Sequence, residues 1–204
     1  MLDAEFFLRW LARSKDLIDQ QAGHLTELDS AIGDADHGSN LQRGFTAVLA
    51  ALERDSPTTP GAVLTLAGRQ LISTVGGASG PLYGTLLRRT GKALGDAVEV
   101  TPQQFGDALR AGVAAVAQLG GAQPGDKTMV DALEPAAAAL DGTSGAFAAA
   151  REAAAKGARE TVPMVARKGR ASYLGERSAG HEDPGAASSA LIVAALADGA
   201  EGIR

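Results

Sequence analysis

Apolar residues along the chain recur at helical spacing. Phe6, Phe7, Trp10, Leu11, Leu17 and Ile18 fall on one face at steps of three and four. Leu64, Ala67 and Leu71 repeat the pattern, as do Phe105, Ala108, Leu109, Gly112, Val113 and Val116. No stretch alternates convincingly with a period of two, the mark of a half-buried strand. Polar punctuation brackets these segments. Thr59 places a capping hydroxyl before Pro60. Thr101-Pro102-Gln103-Gln104 does the same and completes a capping box with Gln104. Asp183-Pro184 is a third start, and stops stand at Gly95, Gly120-Gly121, Gly169 and Gly199. The pattern predicts helices near residues 3–20, 24–32, 37–54, 60–73, 80–94, 102–119, 128–140, 145–166 and 184–198, the first two readable as one broken helix. Short connections make sequential neighbours antiparallel. No linker or repeat interrupts residues 1–204, so a single domain is expected, with 168–183 its longest irregular stretch.

Composition supports an all-α fold. Alanine is heavily used, aromatics make up 4%, and β-branched residues are sparse. The 204 residues include no cysteine, which excludes a disulfide scaffold, a Cys-ligated zinc site, an iron–sulfur cluster and thiol catalysis. Lys and Arg total 19 against 24 Asp and Glu, a net charge of -5. That balance, without a basic run, argues against nucleic acid as a partner. Charges interrupt the apolar pattern of the N-terminus, and the apolar run around 188–197 is too short to cross a bilayer. The expectation is a soluble cytoplasmic protein with no leader and no membrane partner.

The chemistry lies in four loops dense in Gly, Asp and Ser: 29–40, 75–85, 120–131 and 168–185. Alternate connections of an up-and-down bundle share one end, so these four can form one polar mouth. In the first loop, Asp34 and Asp36 are two apart and point the same way on extended chain. Asp29 stands near the end of the preceding helix, placed to fold back over them. Three converging carboxylates repel one another unless a cation sits between them. All-oxygen ligands select a hard ion, Mg²⁺ or Ca²⁺. The EF-hand spacing is absent. Mg²⁺ commonly completes its shell with phosphate and water. His37, Gly38, Ser39 and Asn40 open the next helix, where backbone N–H groups favour an anion. As single residues, Asp34 and Asp36 are helix caps; as part of a cluster with Asp29, His37 and two glycines, they read as a metal site beside a phosphate site.

The other loops are weaker signals. Gly76-Gly77-Ala78-Ser79-Gly80 leads into a helix that Ser79 can cap, and its glycines let a phosphate approach backbone. Gly121-Ala-Gln-Pro-Gly-Asp-Lys-Thr128 is one residue short of a Walker A loop, with Asp126 in a glycine position and a helix where a strand is required, so the P-loop reading fails. Lys127, Thr128 and Asp131 are left to cap a helix and touch a nucleotide. Arg167, Lys168, Arg170 and Arg177 form a basic cluster suited to an anion-facing flap, ahead of the turn 180–185.

Together the segments 32–40, 76–84, 125–131 and 173–185 resemble the nucleotide-binding (L) subunit of bacterial dihydroxyacetone kinase, in order and spacing and over nearly the whole chain. Leu41 stands where that family often has Met after Asn, a packing change. The resemblance implies an eight-helix antiparallel barrel with the nucleotide at one end. It implies two Mg²⁺ held by Asp29, Asp34 and Asp36. It implies phosphate contacts from His37, Gly38, Ser39, Asn40, Ser79 and Gly80, and adenine near Gly120, Gly121, Thr128 and Met129. Arg177, as the catalytic residue, and Asp183, Pro184 and Gly185 would close over the site. It further implies that ADP stays bound as a coenzyme. A phosphotransferase-system (M) subunit would rephosphorylate it, and a separate K subunit would hold dihydroxyacetone. Three other uses of the same site stay open: ATP-dependent kinase for another short ketose, nucleotide-sensing co-regulator docked on a transcriptional regulator, and the related domain of fatty-acid kinase. The single-domain length and Gly175-Glu-Arg-Ser178 argue against the last. A homodimer is also left open.

Overall fold

The computed structural model describes residues 1–201; the last three positions of the expected 1–204 domain lie outside the described residues. Eight α-helices and one 3-10 helix make up the described chain: α1 (Ala4–Ile32), α2 (His37–Asp55), α3 (Pro60–Thr74), α4 (Ser79–Leu94), α5 (Pro102–Gly120), α6 (Val130–Ala139), α7 (Ala146–Glu160), a 3-10 helix (Arg170–Ser178) and α8 (Pro184–Glu201). Each α-helix packs on the next in sequence, and α8 packs back on α1, so the eight form a closed ring. The all-α expectation holds. Two strands of two residues each, β1 (Leu2–Asp3) and β2 (Glu99–Val100), pair antiparallel with Leu2 opposite Val100. They are too short for a period-two signal to show in the sequence.

Local chemistry sets the helix ends. The Thr101 hydroxyl accepts from Gln104 N while the Gln104 side chain accepts from Thr101 N, the full capping box. Thr59 caps α3 through Ala62 N. Asp183 caps α8 through Ala186 N at 2.7 Å.

Three boundaries differ from expectation. The first helix is unbroken, because Gly23 meets nothing within 4 Å and lies exposed. Its helix penalty of about 1 kcal/mol is outweighed by burying Leu25 and Ile32 beyond it, each of which contributes about 1.5–3 kcal/mol. The eighth expected helix ends at Glu160 rather than 166. Pro163 disfavours helical backbone at Val162, and the chain leaves in turns. α6 starts at Val130 rather than 128. Lys127 stands at φ 64, and the Asp131 carboxylate holds Gly125 N and Thr128 N in a loop.

The ring encloses one main apolar core. Phe7 stacks edge-on against Phe6 and Phe105, both at 5.2 Å between ring centroids. Trp10 sits 5.7 Å from Phe105 and donates its indole N–H to the Ile192 carbonyl, tying α1 to α8. A small second cluster of Ile32, Ala166 and Ala171 seats the 3-10 helix against the end of α1.

Candidate functional site

The α1–α2, α3–α4, α5–α6 and α7–α8 connections line one cavity of about 840 Å³. The carboxylates of Asp29, Asp34 and Asp36 converge at its edge, with one oxygen from each within 4.8 Å of the others. Asp29 is buried, and its Oδ2 accepts from Asp36 N at 2.9 Å and His37 N at 3.1 Å. These bonds fold the 33–36 loop back over the end of α1. Ala35, at φ 63, is the reversal point. The donor set is all oxygen, and one oxygen of Asp29 is fixed by the loop, so the three residues fit a hard divalent cation. Arg170 Nη2 lies 2.8 Å from Asp34 Oδ2 and brings the flap to this cluster.

His37 is buried and uses both ring nitrogens. Nδ1 lies 3.1 Å from Ser79 Oγ, and Nε2 lies 2.8 Å from Ser188 Oγ. Burial lowers its pKa against the pull of the three aspartates. Ser79 is therefore held by His37 and does not cap α4, whose first turn has no side-chain cap. Tyr83 reaches Ser188 at 2.6 Å, Ser189 at 2.8 Å and the Gly185 carbonyl at 3.0 Å. Burial raises the pKa of this phenol, so it stays neutral. The His37–Ser188–Tyr83 chain thus joins the starts of α2, α4 and α8 beneath the cavity.

Lys127 does not face the cavity with its charge. Its ammonium donates to the carbonyls of Thr161, at 2.7 Å, and His181. Burial lowers its pKa, with Asp183 and Glu182 opposing. Asp126 is buried and accepts from Gln123 N. Asp131 closes the same loop, so Asp126, Lys127 and Asp131 all serve to shape it. Asp183 is buried too, and burial pushes its carboxyl up to about 7 despite the N–H groups of Ala186 and Gly185.

Of the expected site residues, Asp29, Asp34, Asp36, His37, Ser79, Gly120, Thr128, Met129, Asp183, Pro184 and Gly185 line the cavity. Gly38, Ser39, Asn40, Gly80, Gly121 and Arg177 are not on its wall. Two of these glycines have packing duties: a Cβ on Gly38 would fall 2.0 Å from the Ala22 carbonyl oxygen, and one on Gly80 2.4 Å from that of Val75. Asn40 is buried against Arg43, which donates to its Oδ1. Arg177 is exposed on the far turn of the 3-10 helix. Arg167, Lys168 and Arg170 of the same basic cluster are on the wall. An apolar side of Leu82, Val116, Leu119 and Met129 was not anticipated as a unit. Leu82 and Leu119 end amphipathic segments and read there as ordinary helix positions.

The DAK2 domain matches residues 31–198. The chain belongs to this family. It is 42% identical over 197 residues to the ADP-binding subunit of the PEP-dependent dihydroxyacetone kinase of Escherichia coli K12, covering 93% of this chain and 94% of that one. It is 36% identical over 196 residues to the ADP-binding subunit of the PTS-dependent enzyme of Lactococcus lactis, covering 96% and 97%. Among solved structures, the dihydroxyacetone kinase from C. freundii in complex with AMP-PNP and Mg²⁺ superposes with a TM-score of 0.74 at 29% identity. That match covers 94% of this chain and 33% of the C. freundii chain, so this chain spans about a third of that protein. The homologues are kinase subunits, and this chain is a phosphotransferase subunit of the same family.

Proposed function

We propose that the chain is the ADP-binding subunit of a dihydroxyacetone kinase fed by a phosphotransferase-system phosphoprotein. The observation that carries this is the Asp29–Asp34–Asp36 cluster, which shares one cavity with Arg167, Lys168 and Arg170, the last paired with Asp34. Its relatives of matching length are ADP-binding subunits of that enzyme, and a solved relative holds AMP-PNP with Mg²⁺.

In this reading the three aspartates hold magnesium, with two ions as the full complement. When bound, the metal offsets phosphate charge and polarises the transferring phosphoryl group. The basic cluster meets phosphate oxygens from the flap side. Ser79, oriented by His37, presents its hydroxyl at the start of α4, where backbone N–H groups also favour an anion. Leu82, Leu119 and Met129 give the base an apolar wall, with Gly120 and Thr128 beside it. Asp183, Pro184 and Gly185 border the same cavity, and Arg177 approaches when the flap closes. The one histidine on the wall has both nitrogens occupied and is not available as a base for a substrate hydroxyl. Activation of the acceptor therefore falls to the separate K subunit that carries dihydroxyacetone. The phosphoryl group passes from phosphoprotein to ADP, and from the resulting ATP to the acceptor, so ADP is regenerated in place.

The test is to purify the protein with Mg²⁺ and no added nucleotide, denature it, and identify what is released by chromatography. Near-stoichiometric ADP is expected. An empty site that exchanges ATP freely would replace this reading with an ATP-dependent ketose kinase. A site that binds no nucleotide even with Mg²⁺ would overturn both.

A further inference from the structure

The outer face of α3, α4 and α5 carries a second cavity, an open trough of about 1080 Å³. Arg69, Arg88, Arg89 and Lys92 line it, all exposed. Its floor is backbone. A Cβ on Gly91 would fall 2.6 Å from the Gly61 carbonyl oxygen, and one on Gly68 2.6 Å from Arg88 Cγ. The two helices therefore touch directly, and the Arg88 stem lies across α3.

The trough is basic on a chain that is acidic overall. The chain has a net charge of -5. Arg9, Arg13, Lys15, Arg54, Arg110 and Arg170 each lie within 4 Å of a carboxylate. Among the described residues, none of the four trough cations makes an ion pair or a hydrogen bond with its side chain. Asp96 is the one acid on the wall. Four like charges gathered around a single acid repel one another, and a bound anionic surface would relieve that repulsion.

The trough also has a direction. It runs along α4 from Gly95 and Asp96 to Thr85, about 16 Å at helical rise, and reaches Leu119 at the end of α5. Leu119 lines the nucleotide cavity as well. Whatever lies in the trough has one end at the nucleotide mouth.

We propose that this trough is the docking surface for a protein partner presenting a strip of Asp and Glu side chains, laid along α4 with one end beside the nucleotide. The length and the spread of four cations suit a row of carboxylates rather than one phosphate. A nucleic acid would call for aromatic side chains on which bases could stack, and the trough has none. A membrane surface would call for several apolar anchors, and Leu119 is the one large apolar side chain on the wall. The inference rests on the nucleotide reading only for what lies at one end of the trough, and it does not depend on the identity of the ketose.

The test uses the full chain with ADP and Mg²⁺ and a short glutamate-only peptide as probe. Arginine side-chain Nε–Hε signals are followed by NMR. Selective shifts of Arg69, Arg88 and Arg89 are expected, fading as salt rises. The double variant Arg88→Glu/Arg89→Glu should bind the peptide on the order of tenfold more weakly while its ADP affinity and helical content are unchanged. Equal shifts at every exposed arginine, or unchanged peptide binding by the variant, would overturn the proposal. So would equally tight binding of a short DNA duplex or of vesicles of anionic lipid, which would make the trough a general polyanion surface. Loss of ADP binding by the wild type would count against the nucleotide reading alone, because the peptide shifts are read separately.

Discussion

The Asp29 carboxylate occupies the space that a side chain at position 33 would need: a Cβ on Gly33 would fall 1.9 Å from Asp29 Oδ1. Glycine at 33 is thus a requirement of where the Asp29 carboxylate sits and not simply of the turn. Gly33→Ala should displace the carboxylate or the 33–36 loop. Mg²⁺-dependent ADP binding should fall as far as it does in Asp34→Asn, with the far-ultraviolet spectrum unchanged. Calorimetric titration with and without Mg²⁺ checks this. Normal Mg²⁺-dependent affinity in both variants would remove the aspartate cluster from the site.

Tyr83 is the hub of the polar network under the cavity. Tyr83→Phe removes one hydroxyl and leaves the buried Ser189 hydroxyl without that partner. The expected loss of stability is about 1–3 kcal/mol, read from urea unfolding. Nucleotide affinity should fall as well, since Ser188 then holds His37 without its own support from Tyr83.

The basic flap separates into two roles. Arg170 lines the cavity and pairs with Asp34, whereas Arg177 is exposed beyond the wall. Arg170→Ala should weaken ADP binding more than Arg177→Ala does. In the proposed reading Arg177 reaches the site on closure and acts on transition-state charge, so Arg177→Ala should slow phosphoryl transfer more than it weakens binding. Affinity and single-turnover transfer measured on both variants separate the two.

Asp183 makes stability depend on pH in an unusual direction. Its carboxyl is pushed from 3.8 to about 7 by burial. Between those values the folded chain keeps a proton that the unfolded chain has lost. The Asp183 contribution therefore falls as pH rises through this window, by at most about 1.4 kcal/mol per unit, and levels off above it. Asp183→Asn keeps a capping oxygen and removes the titration. The variant should gain on the wild type in urea stability as pH rises from about 4 to 7. A constant difference across that range would show that Asp183 is ionised in the fold.

Much of this was legible in residue order. Periodicity of three and four gave the helices, and hydroxyl–proline pairs gave the starts at Pro60, Pro102 and Pro184. The Asp29–Asp34–Asp36 cluster was readable because three carboxylates cannot share a short loop without a reason. Less legible were side chains whose duties lie between distant segments. Lys127 looks like a phosphate ligand beside Thr128, yet it reaches carbonyls of Thr161 and His181. Ser79 looks like a helix cap, yet it meets His37 from another loop.

By itself the sequence determined the local events: which segments coil, where they start, and which loops carry charge. Those follow from spacing and capping, interactions spanning a few residues. Tertiary structure alone decided what depends on contacts across the ring. It brought four loops to one cavity, turned Gly38 and Gly80 into packing positions, and gave both His37 nitrogens to serines. It also gathered Arg69 and the α4 cations Arg88, Arg89 and Lys92 into one trough. The physical reason is range: helix–helix packing fixes the distance between residues far apart in the chain, and no local pattern encodes that distance.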